Sequence, residues 1–162
     1  MTTGAASKLA TSTAGKPDAA TRQEVRDLFD DYVTYLDENR FDEWLGLLTD
    51  DCYYTMLLHQ DYVKGTNMVA IGEDKRRLAG RIEVGQTVER DLRTHLLTAV
   101  RVDGTGPELS AAANFAVLRK GGVSCSGRYH MTLVRQGGEL KIKRCVTVLN
   151  DAVIQGTIYL PV

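Results

Sequence analysis

Residues 111–120 (AAANFAVLRK), 127–136 (GRYHMTLVRQ), 139–151 (ELKIKRCVTVLND) and 152–162 (AVIQGTIYLPV) make up the stretch whose reading decides the fold. Apolar, β-branched and aromatic residues alternate with polar ones, the period of a strand with one buried face. Lys120-Gly121-Gly122 and Gln136-Gly137-Gly138-Glu139 separate the first three runs. Glycine supplies the positive φ that tight hairpin turns demand. The spacing predicts a meander of antiparallel strands, with the segments before it covering one face.

Upstream, Thr21 is a candidate N-cap with Glu24 at capping-box spacing. Val25, Leu28, Phe29, Tyr32, Val33 and Leu36 then recur at three- and four-residue steps, which predicts an amphipathic helix ending at 37–40. Phe41, Trp44, Leu45 and Leu48 mark a second, shorter helix closed by Thr49-Asp50-Asp51. Cys52 to Leu57 reads as a first strand, and His59 to Met68 as a polar connection. Val69 to Val84 has a weaker helical pattern, its charged side running from Glu73 to Arg81. Leu92 to Val102 is a further strand, turned at Asp103-Gly104-Thr105-Gly106-Pro107. Residues 1–20 are rich in Thr, Ser, Ala and Gly and bury little, so a disordered tail is expected there, followed by one domain over 21–162. The predicted fold class is α+β: a cone formed by a curved, mostly antiparallel mixed sheet covered by two to three N-terminal helices.

The totals narrow the function classes. The chain has 162 residues, a formal charge of −1 and 43% hydrophobic residues, enough for one real core and without the positive field that gathers nucleic acid or anionic membranes. Neither a signal-peptide pattern nor an apolar run of membrane-spanning length is present. Cys52, Cys125 and Cys145 are an odd set at spacings that fit no zinc motif, which points to a reducing, cytoplasmic compartment. The Lys75-Arg76-Arg77 cluster reads as a solvated helix face or subunit contact rather than a phosphate site.

Candidate chemistry is thin. There is no phosphate-binding glycine loop, no nucleophile elbow and no paired Cys/His motif of a Rieske cluster. His95 alternates with Leu97 and Ala99 and is expected to face inward. His130 shares a face with Arg128 and Thr132, opposite Tyr129, Met131 and Leu133. Arg144 shares strand parity with Ile142 and Val146, so a carboxylate from Asp37, from Asp151 or from another chain is expected beside it, because an unpaired buried charge is costly. His95, His130 and Asp37 or Asp151 are weak candidates for a facial iron triad, since no spacing supports them.

The ordered segments Leu36 to Trp44, Leu47 to Tyr54, Arg93-Thr94-His95-Leu96, Phe115 to Arg119, Gly127-Arg128-Tyr129, Lys143 to Asp151 and Tyr159 to Val162 together resemble the small (β) subunits of aromatic-ring-hydroxylating, Rieske non-haem iron dioxygenases. The ending is most similar to the benzoate, salicylate and terephthalate types. The resemblance implies the nuclear-transport-factor-2-like, scytalone-dehydratase-like cone. It also implies a structural chain with no catalytic residue or cofactor of its own. The Rieske [2Fe-2S] cluster and mononuclear Fe(II) would lie in a partner α subunit, within an α3β3 assembly with β–β contacts, served indirectly by a reductase or ferredoxin. The overall reaction would use O2 and NADH-derived electrons on an aromatic, carboxylated compound. Arg93 and Arg144, with the charged run Glu73 to Arg81, are then interface candidates. The rival resemblance is to self-sufficient cone enzymes of the scytalone-dehydratase and ketosteroid-isomerase type. There Asp37, Tyr54, His95, His130 and Asn150 would supply acid–base catalysis. A binding cone for a small hydrophobic ligand is the third reading.

Overall fold

The computed structural model describes residues 15–88, 92–153 and 160–162. In chain order the elements are α1 (Ala19–Asp37), α2 (Phe41–Gly46), β1 (Leu48–Leu58), α3 (His59–Lys64), β2 (Ile71–Asp74), α4 (Lys75–Val88), β3 (Arg93–Asp103), β4 (Glu108–Arg119), β5 (Gly122–Gln136) and β6 (Glu139–Leu149). The α+β cone expected from the sequence is present, as a curved six-stranded sheet in the order β2-β1-β6-β5-β4-β3. Every pairing is antiparallel except β1 with β6.

Helix α1 begins earlier than the capping-box reading placed it. Asp18 is the N-cap, and its Oδ1 accepts from the Thr21 N–H at 2.7 Å. A carboxylate is a stronger cap than a threonine, and Ala19-Ala20 are good helix formers, so the start moves upstream. Residues 15–20 therefore belong to a described, partly helical segment, while 1–14 lie outside the described residues. The helix closes in a Schellman arrangement: Asn39 N bonds Leu36 O at 3.2 Å and Arg40 N bonds Tyr35 O at 2.8 Å. Asn39 takes the left-handed conformation (φ 57°) that this cap requires.

Three other boundaries differ from the sequence reading. Thr49-Asp50-Asp51 is already strand, because β1 runs from Leu48. The polar connection contains the single-turn helix α3. The segment from Val69 is divided into β2 and α4, and Asp74 Oδ1 caps α4 by accepting from Arg77 N at 2.8 Å. The expected last strand over 152–162 does not form where it is described: 151–153 and 160–162 are irregular, and 154–159 lie outside the described residues.

The concave face of the sheet holds the core. Val25, Phe29, Tyr32 and Leu36 of α1, Trp44 of α2, Leu78 and Ile82 of α4 and Leu160 are all at most 2% exposed and pack against Tyr54, Met56, Val117, Tyr129, Met131, Leu133, Ile142 and Cys145. Tyr129 anchors the centre, stacked on Phe115 at 4.2 Å and edge-on to Tyr32 at 5.3 Å. The short α3 lies on the convex side, where Tyr62 stacks on His130 with ring centroids 5.4 Å apart.

Two β-bulges set which side chains face the cone. In β3, Ala99 and Val100 oppose the single residue between Ala112 and Asn114, and Ala99 adopts φ 53°. The bulge turns Ala99 out and brings Val100 in, so Ala99 does not share the face of His95 as strict alternation would have it. In β6, Ile142 pairs with Leu133 and Arg144 with Thr132, leaving Lys143 as the extra residue. Beyond it, Cys145, Thr147 and Leu149 face the core.

Candidate functional site

The end of α1 places Asp37 against the start of edge strand β3. Asp37 Oδ1 lies 2.5 Å from His95 Nδ1, and Oδ2 accepts from the His95 backbone N–H at 2.8 Å. The carboxylate therefore fixes the proton on Nδ1 and leaves Nε2 as the chemically available nitrogen. That Nε2 has no hydrogen-bond partner among the described residues, and the imidazole is fully buried. A carboxylate-oriented imidazole with a free Nε2 is the arrangement of a general base.

Beside it, Arg93 is 5% exposed. Its Nε donates to Leu36 O at 2.9 Å and its Nη2 to Asn39 Oδ1 at 3.3 Å, with the guanidinium over the Phe41 ring. Burial lowers its pKa, and the nearby Asp37 opposes that shift. Arg93 is thus an internal clamp on the end of α1 rather than a surface group, which removes it from the interface candidates.

Deeper in the cone the side chains form a hydroxyl array. Thr147 Oγ1 donates to the Tyr54 hydroxyl at 3.1 Å, and Tyr54 donates to the Val162 carbonyl oxygen at 3.2 Å. Tyr32 reaches the same oxygen at 3.5 Å, with Cys145 Sγ at 3.8 Å. Burial pushes the Tyr32, Tyr54 and Tyr129 hydroxyls well above the ordinary tyrosine range, and the Cys145 thiol up to about 11. All of them stay protonated at neutral pH. The Tyr129 hydroxyl has no partner among the described residues.

The remaining sequence candidates are elsewhere. His130 lies on the convex face, paired in register with Ala112 and Val146, so it does not meet His95 or Asp37. Burial, with Arg128 beside it, lowers its pKa. Asn150 is exposed, its backbone N–H bound to Ser126 O. Arg144 is exposed on the convex face opposite Tyr53, because the bulge at Lys143 reverses its parity. The expected ion pair with Asp37 or Asp151 is therefore not needed. Glu73 and Arg81, read as exposed helix charges, pair with each other through two guanidinium nitrogens, from β2 to α4. Lys75 bonds Leu48 O and Asp50.

The residues do not fit an iron site. His95 and His130 point to opposite faces, and no group of three His, Cys, Asp or Glu among the described residues is placed to hold a metal ion. Sequence reading missed Tyr32, Tyr129 and Thr147. The available signal was a hydroxyl at each of three positions on otherwise apolar faces.

The profile of the SnoaL-like domain matches residues 17–146. The chain belongs to the SnoaL-like family. No curated protein matches it. Among solved structures this SnoaL-like chain is similar to a protein described as the β subunit of an aromatic-ring-hydroxylating dioxygenase from Novosphingobium aromaticivorans, with TM-score 0.78 and 22% identity over 87% of this chain and 95% of that one. It is also similar to the β subunit of benzoate 1,2-dioxygenase from Burkholderia mallei, with TM-score 0.65 and 18% identity over 84% and 93%. A protein described as a scytalone dehydratase from N. aromaticivorans has TM-score 0.66 and 18% identity over 82% and 85%. At these identities the likeness establishes the SnoaL-like, nuclear-transport-factor-2-like fold.

Proposed function

We propose that this chain is the structural β subunit of a multicomponent aromatic-ring-hydroxylating dioxygenase in the cytoplasm. Its α partner would carry the Rieske cluster and mononuclear iron and would act with O2 and NADH-derived electrons on an aromatic, carboxylated compound. The observation that carries the reading is the state of the cone: its interior is packed with the chain's own aromatics and with Leu160, Pro161 and Val162, and the His95 ring is sealed from solvent. The cone shared with dioxygenase β subunits supports it. Exposed apolar residues supply contact surface: Val84, Val88 and Leu92 near one end of the sheet, and Tyr53 beside Arg144 on the convex face. Stable assemblies bury such residues.

Co-expression with a dioxygenase large subunit from the same genome tests the proposal. Co-elution as an α3β3 particle is expected, and a chain that stays monomeric and ignores that subunit overturns it. A neighbouring reading frame with Cys-x-His and Cys-x-x-His motifs is the corresponding genomic expectation.

The Asp37–His95 pair supports a second reading, a lone enzyme that removes a proton next to a carbonyl. The isolated chain would then turn over a small enone or hydroxy-ketone, and His95→Ala would abolish the turnover without unfolding. Unchanged turnover in that variant excludes it.

A further inference from the structure

The two broad outer sides of the chain carry opposite charge, which the formal total of −1 conceals. On the convex side of the sheet, Arg144 of β6, Arg128 of β5 and Arg101 of β3 are exposed. None has a carboxylate partner among the described residues, and Arg128 Nε donates to the neutral Asn114 Oδ1 at 2.8 Å. The register puts small side chains among them: Arg101 is opposite Ala112, and Arg144 is opposite Thr132, itself opposite Ser110. The guanidinium groups therefore stand above a shallow floor. Of the carboxylates nearby, Asp103 ends β3, and Glu108 at the start of β4 is bonded to Lys143 at 2.6 Å. The other side is the outer face of α1. With Val25, Phe29, Tyr32 and Leu36 turned to the core, the helical period points Asp27, Asp30 and Asp31 away from it, and Glu38 follows at the C-cap. Asp27 is bonded to the neutral Gln23, and Asp30 and Asp31 have no hydrogen-bond or ion-pair partner among the described residues. Like charges four residues apart, as Asp27 and Asp31 are, weaken a helix. Each face thus keeps charge that nothing within the chain neutralises. Their spans also match: Arg144 and Arg101 are three strands apart, about 14 Å at the usual strand spacing, and Asp27 to Glu38 covers about 16 Å of helix.

We propose that the convex face of the sheet binds the outer face of α1 in a second copy of this chain, so that copies associate front to back. Arg101, Arg128 and Arg144 of one copy meet the acidic stripe of the next, and the exposed Tyr53 and Leu96 are covered in the contact. Packing two convex faces together is disfavoured, because it sets arginine against arginine. The two surfaces lie on opposite sides of the chain, so the contact is heterologous. A pair of copies still has one free face of each sign, and addition stops only when a ring closes. Exposed ion pairs are weak, each altering association about fivefold at most, so the assembly is sensitive to salt. The contact needs no large subunit and does not rest on the dioxygenase reading.

The test is sedimentation velocity of the full chain alone, in low and in high salt, with two charge-reversed variants. The unaltered chain should form species larger than a dimer in low salt and dissociate in high salt. Arg128→Glu with Arg144→Glu reverses the sheet face, and Asp30→Lys with Asp31→Lys reverses the helix face. Each variant alone should associate at least about a hundredfold more weakly, because like charges then meet. Mixed in equal amounts the two should associate again, since each face of one variant is complementary to the opposite face of the other. An unaltered chain that stays monomeric in low salt overturns the proposal. So does a dimer that ignores salt and the helix reversal, which would place the contact between like faces, and so does a mixture that stays monomeric. Should a reversed variant not fold, Arg128→Gln with Arg144→Gln and Asp30→Asn with Asp31→Asn keep the test. Each neutral variant should then weaken association severalfold, and unchanged association in either overturns the proposal.

Discussion

Asp37, the last residue of α1, holds both the ring and the backbone N–H of His95, the third residue of β3, so one carboxylate ties the covering helix to the edge of the sheet. The two groups are 58 residues apart in sequence. Asp37→Asn keeps the shape and removes the charge. Hydrogen bonds to charged groups contribute about 1.5–3 kcal/mol, so a loss in that range is expected in urea unfolding. In the proposed dioxygenase assembly, turnover per intact complex should stay unchanged.

Arg93 has the same structural character. Lysine cannot reproduce its fork across Leu36 O and Asn39 Oδ1. Arg93→Lys should cost about 1–3 kcal/mol by chemical denaturation, whereas Arg144→Lys, on the exposed convex face, should change stability within about 0.5 kcal/mol.

Gly127 has no room for a side chain. A Cβ there would meet the Phe115 ring at 3.0 Å and run into the Val148 carbonyl oxygen of the paired strand. Because the obstruction is backbone, relief requires β5 and β6 to part. Gly127→Ala should destabilise by about 1–3 kcal/mol, the usual range for overpacking, read as a lowered thermal midpoint.

The pH dependence of stability has a sign set by His130. Burial against Tyr62 lowers its folded-state pKa below the ordinary 6.5. The unfolded chain therefore binds the proton first as pH falls. Its contribution is present above about 6.5 and is lost as pH drops through that value toward the folded pKa. Thermal midpoints measured from pH 8 to pH 5 should fall, and His130→Gln should flatten that part of the profile.

The thiols should be inert in the native state. Burial raises Cys52 to about 12, and Cys125 and Cys145 to about 11. The thiolate is the reactive form, so native protein at pH 7.5 should react slowly with a disulfide reagent, and all three should react on unfolding.

Much of this architecture was legible in the residues. The three- and four-residue steps from Val25 to Leu36 identified the buried stripe of α1, and the glycine pairs at 121–122 and 137–138 marked both hairpin turns. Alternation also put Tyr129 and His130 on opposite faces correctly. It failed at Ala99 and Arg144, where one extra residue in a strand reverses the parity of all that follows. Neither bulge has a glycine to announce it. The resemblance to cone enzymes put Asp37 and His95 among one set of candidates, but spacing could not give their contact, because it depends on where α1 stops, and Asn39 fixes that through a left-handed cap. Tyr32 and Tyr129 were hidden by their own apolarity, since their rings fit the core pattern and only their hydroxyls depart from it.

The one parallel pairing has a consequence for biosynthesis. β1 meets β6 through contacts such as Tyr54 with Cys145, about ninety residues apart in sequence. Closing so long a loop comes late, since its entropy must be overcome before the contact helps. During translation, the β1–β2 pair and the β3–β5 meander stay separate until β6, the strand between them, has left the ribosome. Apolar edges of both halves stay uncovered until that strand arrives, so slower synthesis at lower temperature should raise the soluble yield.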